Sequence, residues 1–399
     1  MYDWANSAFM TTIIAAIFPI YFSEFAARDL EPAEATQIYA AANGAALLLI
    51  ASLAPVLAAR ADAAGSRKKM LAGFMGLGVL STGAMVFLLP GRWELACALF
   101  ILANIGASGS FVFYDSLLRH IAAPDEIDRV SSAGYAFGYL GGGLLLALNV
   151  AWTLSPQRFG MENPEQAMRL SFLSVAVWWS VFAIPLFLRV PEPARGSAYR
   201  GLRRTLGELR QYPEACWLLL AFLVYNDGIG TIIRLATSYG AEIGIPREAL
   251  IGAILMVQFL GFPFTFLFGY LASRIGTRKS IMAALAVYLG VTLMAFFMEK
   301  ASHFYALAAA VAAVQGGSQA LSRSLFASLV PVDRSSQFFA FFGVCEKFSG
   351  VVGPTLFASM AALTGSSRNG ILSIGLFFLV GMVLLARVDL ERGRRAAEE

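Results

Sequence analysis

Two charges interrupt one apolar run. Asp227 and Arg234 lie seven residues apart within 214–236, with Thr231 between them, and a helix would carry all three on one face. An acid in such a run is costly unless it is paired, solvated or protonated. Asp227 is therefore a candidate to carry a coupling proton or to meet a cation of a polar cavity. Seven residues of helix rise about 10 Å, so direct neutralisation of Asp227 by Arg234 would require long, bent side chains. Asn226 precedes the acid and adds an amide to the same region.

Other polar residues recur at helical spacing. Asn104, Ser108, Phe111, Asp115 and Arg119 follow one another by three or four residues and form a stripe. Further on, Gln315, Gln319, Ser322 and Arg323 lie on one side of a helix. Aligning Ser116-Leu117 with Ser324-Leu325 sets Asp115 against Arg323, at equivalent positions with opposite sign. Either the two form an ion pair between halves of the molecule, broken when the cytoplasmic side opens, or each is neutralised within its own half. Glu346 and Lys347 are adjacent, and adjacent helical residues point about 100° apart. They are expected to find different partners, one at the second span or its hairpin, the other at the tenth span or the cavity.

The elements that position these groups are read from hydropathy. With 58% hydrophobic and 14% charged residues and a mean hydropathy of +0.67, the chain is too apolar for an ordinary soluble domain. About twelve runs are long enough to cross a hydrocarbon core as helix. They are 1–26, 36–59, 70–90, 94–120, 131–154, 170–189, 214–236, 248–273, 279–298, 303–329, 336–363 and 370–388. The runs are continuous, which excludes the short alternating segments of a membrane barrel. About two thirds of the Lys and Arg fall in the loops after even-numbered spans and in the tail, which sets both termini in the cytoplasm. The pI near 9.0 then reflects loops beside anionic membrane lipid and calls for no nucleic acid.

The chain is a duplication. The basic interruption 191–213 separates a six-span bundle, 1–190, from a second, 214–399. Leu202–Arg210 within it is either a short interfacial helix or part of a flexible tether. Asn6-Ser7-Ala8-Phe9 echoes Asn226-Asp227-Gly228-Ile229, and Ser131-Ser132-Ala133-Gly134 echoes Ser335-Ser336-Gln337-Phe338. Six spans per half make the repeat parallel, about an axis along the membrane normal. Asn226 lies well inside its span, whereas Asn6 has five residues before it, so symmetry implies a start codon upstream of Met1.

A third echo is a hairpin. Ala61-Asp62-Ala63-Ala64-Gly65-Ser66-Arg67-Lys68 follows the second span, and Gly269-Tyr270-Leu271-Ala272-Ser273-Arg274-Ile275-Gly276-Thr277-Arg278 ends the eighth. Asp62 beside a helix N-terminus would gain roughly 0.3–1 kcal/mol from the helix dipole, enough to bias a near-balanced gate. Arg67 and Lys68 are candidates to pair with an acid on the fourth span. The plainer reading is a tight turn carrying orienting charge. Gly134, Gly138 and Gly141–Gly143, and later Gly350 and Gly353-Pro354, permit close helix contact and bending.

No Gly-x-Ser-x-Gly motif, metal spacing or phosphate loop occurs. Cys97, Cys216 and Cys345 are read as small core residues, and His120 and His303 are too few to build a metal site. No enzyme activity and no cofactor are expected.

The hairpins resemble the loop signature of the major facilitator superfamily. The first keeps Asp62, Gly65 and Arg67 but has Ala58 and Ala63 where Gly and Arg stand in the signature. The second keeps Gly269, Arg274, Gly276 and Arg278 but has Ser273 in place of the acid. Tyr2-Asp3-Trp4-Ala5-Asn6-Ser7-Ala8-Phe9, with Tyr225-Asn226-Asp227-Gly228, is similar to the branch containing the fungal autophagy-linked vacuolar amino-acid effluxers and their bacterial relatives. The resemblance implies an all-α membrane fold of twelve helices in two pseudo-symmetric bundles, acting as a secondary transporter by alternating access. It implies a cavity lined by the first, fourth, seventh and tenth spans. Asn6, Thr11, Asn104, Ser108, Asn226, Asp227, Gln315 and Gln319 then suit a small polar or zwitterionic solute, with Arg234, Glu346 and Lys347 as further cavity or coupling candidates. Asp62, Gly65, Arg67, Asp115, Arg119, Arg274, Gly276, Arg278 and Arg323 form the expected cytoplasmic gate. Amino-acid efflux from a monomer in a bacterial inner membrane, with proton coupling, follows from the family likeness. Export of amphipathic compounds, or a sensor or scaffold without flux, are the alternatives left open.

Overall fold

The computed structural model describes residues 1–195, 207, 210–350 and 352–398, and among these it is helical without a strand. Apart from residues 207 and 210, the expected interfacial helix over Leu202–Arg210 lies outside the described residues. In chain order the helices are α1 (Tyr2–Ala26), α2 (Pro32–Ala64), α3 (Arg67–Ala84), α4 (Trp93–Ser116), α5 (Ile127–Leu154) and α6 (Pro164–Arg189). They continue as α7 (Pro213–Glu242), α8 (Arg247–Ile275), α9 (Thr277–Phe296), α10 (Ala301–Ser328), α11 (Ser335–Phe348), α12 (Val352–Thr364), α13 (Ser367–Ala386) and α14 (Leu390–Glu398). Among the described residues, ten helices are long and apolar enough to cross a membrane. The tenth expected span, α10, is helical over 28 residues but carries Gln315, Ser318, Gln319, Ser322 and Arg323 along its length. The eleventh, read from hydropathy as one run, is two helices, α11 ending at Phe348 and α12 beginning at Val352, with Ser349 and Gly350 in a turn after α11.

The chain divides into two compact units. The first comprises Met1–Leu117 and Phe137–Tyr199. Its centre is aromatic: Phe18 stacks on Phe100 with centroids 4.8 Å apart, and Phe9 meets Trp179 at 5.7 Å. Small residues let its helices approach. A Cβ on Gly106 of α4 would stand 2.3 Å from the Gly78 nitrogen of α3. The α5 glycines Gly138, Gly141 and Gly142 are likewise filled by Ser7, Trp4 and Thr11 of α1, as the glycine pattern led us to expect of close packing. Within α1, the turns over Phe9–Ala16 and Phe22–Ala26 widen to π-helical geometry, an irregularity that occurs often at functional sites.

The second unit comprises Leu118–Ala136 and Arg200–Glu399, so the first turns of α5 are clustered with α7–α14. Its core stacks Phe222 on Phe342 at 4.2 Å and Tyr288 on Phe378 at 5.2 Å. Buried Tyr225 is hydrogen-bonded to Ser322 Oγ at 2.6 Å, giving the phenol a partner that burial requires.

The α3–α4 contact yields a sharp test. Gly106→Ala meets backbone, which cannot yield, and should cost about 1–3 kcal/mol by overpacking. Gly73→Ala on α3, with nothing within 4 Å of its added Cβ, should leave the melting midpoint of the detergent-purified protein unchanged or slightly raised. Equal midpoints for the two variants would refute the close contact.

Candidate functional site

The break between α11 and α12 is the chemical centre of the second unit. A helix that stops leaves carbonyls pointing forward along the chain, and one that starts leaves N–H groups pointing back. α7 packs against both α11 and α12, and it carries Asp227 and then Arg234. The Asp227 carboxylate, 3% exposed, accepts from the N–H of Val352 at 3.1 Å and of Gly353 at 3.0 Å. Acid thus meets the positive start of α12. Seven residues on, Arg234 donates to the carbonyls of Gly350 at 3.1 Å and Ser349 at 3.4 Å, so base meets the negative end of α11. The two side chains sharing one face serve opposite ends of the break rather than each other.

Neighbours complete the site. Asn226 Nδ2 donates to Ser349 Oγ at 2.5 Å, and that hydroxyl donates to the Glu346 carbonyl at 2.6 Å. Thr231 Oγ1 donates to the Asp227 carbonyl at 2.7 Å. A Cβ on Gly353 would stand 2.0 Å from Thr231 Oγ1, and one on Gly350, at φ +122°, 2.0 Å from an Arg234 nitrogen. Both glycines are therefore needed where they stand. Lys347 and Glu346, expected to part, lie 3.8 Å apart as an ion pair: their long stems bend back across the 100° that separates their Cβ atoms. Gln315 and Gln319 are half-buried on α10.

In the first unit the predicted residues gather in smaller groups. Asn104 Nδ2 donates to Asn43 Oδ1 at 2.8 Å, and Ser108 Oγ to Asn104 Oδ1 at 3.2 Å. Thr11 Oγ1 reaches the Gly142 carbonyl at 3.2 Å. Asn6 is 2% exposed, and its Nδ2 is buried without a hydrogen-bond partner among the described residues. Asp3, named in the sequence only as part of the Tyr2–Phe9 run and not as a site residue, is buried and accepts from Tyr114 Oη. The stripe on α4 does not extend to Arg119: α4 ends at Ser116, and Arg119 falls in the turn Leu118–Ile121 of the second unit. Asp115 belongs to the first unit and Arg323 to the second.

The two hairpins solve the same problem differently. In the first, Gly65 closes α2 in the left-handed region at φ +61°, and Arg67 Nε meets Asp62 Oδ1 at 2.5 Å with both side chains buried. Asp62 thus faces a guanidinium within its own hairpin, not a helix dipole alone. Lys68, expected to seek an acid on α4, instead caps α6: its ammonium donates to the carbonyls of Phe187, at 3.1 Å, and Val190. In the second hairpin, exposed Arg274 lies over the Tyr270 ring at 5.1 Å, Gly276 turns at φ +91°, and Arg278 donates to the Val388 carbonyl at 2.7 Å. The acid absent at Ser273 comes from elsewhere. Asp128, in the first turn of α5, accepts from Thr277 Oγ1 at 2.5 Å and from Ser324 Oγ. Arg323, 3% exposed, donates to Ser131 Oγ and to its carbonyl, both at 3.0 Å, and lies over Tyr135 at 4.5 Å. Asp128 escaped the sequence reading because its run, Pro124-Asp125-Glu126-Ile127-Asp128-Arg129, is too charged for a hydropathy window.

The sequence model of the family described as vacuole effluxer Atg22 like matches residues 32–398. The chain belongs to that family. It is 34% identical over 409 residues to an uncharacterized MFS-type transporter of Bacillus subtilis, covering 100% of this chain and 96% of the relative. It is 25% identical over 392 residues to autophagy-related protein 22 of Saccharomyces cerevisiae, covering 83% and 73%. Among solved structures, the Escherichia coli fucose:proton symporter superimposes with a TM-score of 0.75 at 14% identity, over 97% of this chain and 96% of that one. The human organic anion transporter MFSD10 gives 0.72 at 14% identity, over 96% and 98%. The fold is that of the major facilitator superfamily, and the protein is a multi-pass membrane transporter.

The first hairpin generates a stability prediction. Arg67→Ala strands a buried carboxylate and should cost about 3–5 kcal/mol, whereas Asp62→Asn combined with Arg67→Met removes both charges and should recover most of it. Thermal melts of the three proteins in detergent check this; a double variant no better than Arg67→Ala would show that the pair is not buried as a unit.

Proposed function

We propose that this member of the Atg22-like family is a secondary active transporter that moves a small polar or zwitterionic solute by alternating access. The observation that carries the reading is the broken eleventh pass. Irregular backbone at membrane depth is tolerated where it is buried in protein or lines a water-filled cavity, and transporters place solute sites at such breaks. Here the break brings Asn226, Asp227, Thr231 and Arg234 to one place, offering both signs of charge to a zwitterion. Asn6, Thr11, Asn104 and Ser108 are the polar groups we assign to the cavity from the first unit, and Gln315 and Gln319 from α10.

The finer terms of the proposal follow the family likeness. The solute is an amino acid, the direction is efflux, and proton movement supplies the energy. The chain makes twelve passes, works as a monomer in a bacterial inner membrane and keeps both termini in the cytoplasm. Its halves are 1–190 and 214–399, joined by 191–213. The cytoplasmic gate comprises the hairpin residues Asp62, Gly65, Arg67, Arg274, Gly276 and Arg278, together with Arg119 and an Asp115–Arg323 pair that forms when that side closes.

Proteoliposomes under an imposed proton gradient test the proposal. Wild-type protein should exchange or accumulate amino acids from a broad solute panel, and Asp227→Asn should lower the rate at least about tenfold, because an amide offers only one acceptor oxygen to two N–H donors. No flux of any polar solute would defeat the transport reading. Flux confined to amphipathic compounds would replace the solute class.

A further inference from the structure

We infer that Arg234 is a tethered cation, occupying a position at the helix break that would otherwise take a free monovalent ion. The inference deepens the proposed function, since it names how the break is electrically balanced, and its flux measurement rests on that reading. Two carbonyls, of Ser349 and Gly350, converge on one guanidinium at 3.4 and 3.1 Å. Gly350 at φ +122° is what turns the second carbonyl to this side. They sit at the negative end of α11, whose dipole favours a cation, and within electrostatic reach of Asp227. Converging carbonyls of an unwound segment at a helix C-terminal end are donors with which transporters hold a coupling cation. Here that set closes on a side chain: a Cβ at Gly350 would stand 2.0 Å from Arg234 Nη1 and 2.3 Å from Nη2, so the residue at 350 is shaped to the guanidinium.

A tethered charge differs from a dissolved one in two ways. Arginine remains protonated throughout the physiological range, and its attachment to α7 makes occupancy independent of the ion concentration outside. Balance at the break then draws on no sodium or potassium gradient. Removing the guanidinium should leave the carbonyls of Ser349 and Gly350 facing an emptied position, which a small cation would enter.

The test uses purified full-length protein at constant ionic strength in sodium, potassium or N-methylglucamine chloride. The melting midpoint of the wild type and of Arg234→Lys should be the same in all three salts. Arg234→Ala should melt lower in N-methylglucamine and regain about 1–2 °C in sodium or potassium at ten times its dissociation constant. Millimolar methylguanidinium should act likewise. Arg234→Gln, which keeps donors but not charge, reports the same dependence if the alanine variant fails to fold. In proteoliposomes, wild-type flux should be indifferent to replacing sodium or potassium by N-methylglucamine, while Arg234→Ala flux should recover with the added cation. Midpoints of the two neutral variants that ignore the cation would overturn the inference and leave Arg234 a plain helix cap. A wild type whose midpoint or flux needs sodium or potassium would overturn it too. Absence of flux together with cation-dependent midpoints would count against the transport reading alone.

Discussion

A bilayer offers no water to a backbone group, and this constraint governs the second unit. Every N–H and C=O inside the hydrocarbon must find a partner in the protein, so a helix cannot stop in mid-pass unless side chains take over its orphan groups. The break between α11 and α12 leaves the carbonyls of Ser349 and Gly350 and the N–H groups of Val352 and Gly353, and α7 answers with an acid for the donors and a base for the acceptors. The order matters. α7 packs against both pieces of the pass, and the backward-pointing N–H groups of α12 need the anion earlier along α7 than the forward-pointing carbonyls of α11 need the cation. Asp227 before Arg234 is the arrangement that satisfies both, and charge-assisted bonds of this kind contribute about 1.5–3 kcal/mol each.

The glycines follow from the same constraint. Charged side chains reach the break only if the backbone comes close, and at Gly353 and Gly350 there is no room for a Cβ beside Thr231, Asp227 and Arg234. Elsewhere glycine serves packing instead. Apolar side chains gain nothing by leaving lipid for each other, so helices in a membrane cohere through close backbone approach. Gly78 against Gly106 in the first unit, and Gly317 against Phe268 in the second, are places where the added Cβ would collide. One residue type thus does two jobs.

Much of this was legible in the sequence, and the losses have physical causes. Long apolar runs report helices reliably because a spanning helix must be apolar. Gly350 and Gly353-Pro354 marked a place where the chain can bend, but they are as apolar as their neighbours, so a hydropathy window runs straight across them and gives one span instead of two helices. Asp227 and Arg234 stood out as anomalies, yet their roles depend on α11 and α12, more than a hundred residues away. Glu346 and Lys347 were misjudged because Cβ direction constrains a short side chain but not two long ones. Asp128 was lost to the opposite bias: the first turn of α5 is charged, so α5 was started at 131 rather than at Ile127.

The two hairpins show how a shared signature persists while its parts migrate. Each must turn the chain, and each does so on a glycine with positive φ, Gly65 or Gly276. Each must also place an anion at the helix that follows. The first keeps that acid in the turn, where Asp62 meets Arg67, the first residue of α3. The second has Ser273 there, with its hydroxyl spent on the Tyr270 carbonyl, and the carboxylate that reaches Thr277, the first residue of α9, is Asp128 of α5. What is preserved is an acid beside the positive end of a helix, not an acid at a position. The consequence is unequal coupling. The first hairpin's charge pair is local and survives any motion that keeps the turn intact. The second depends on the first turn of α5 staying docked against α9 and α10, so that hairpin changes its electrostatics whenever α5 moves.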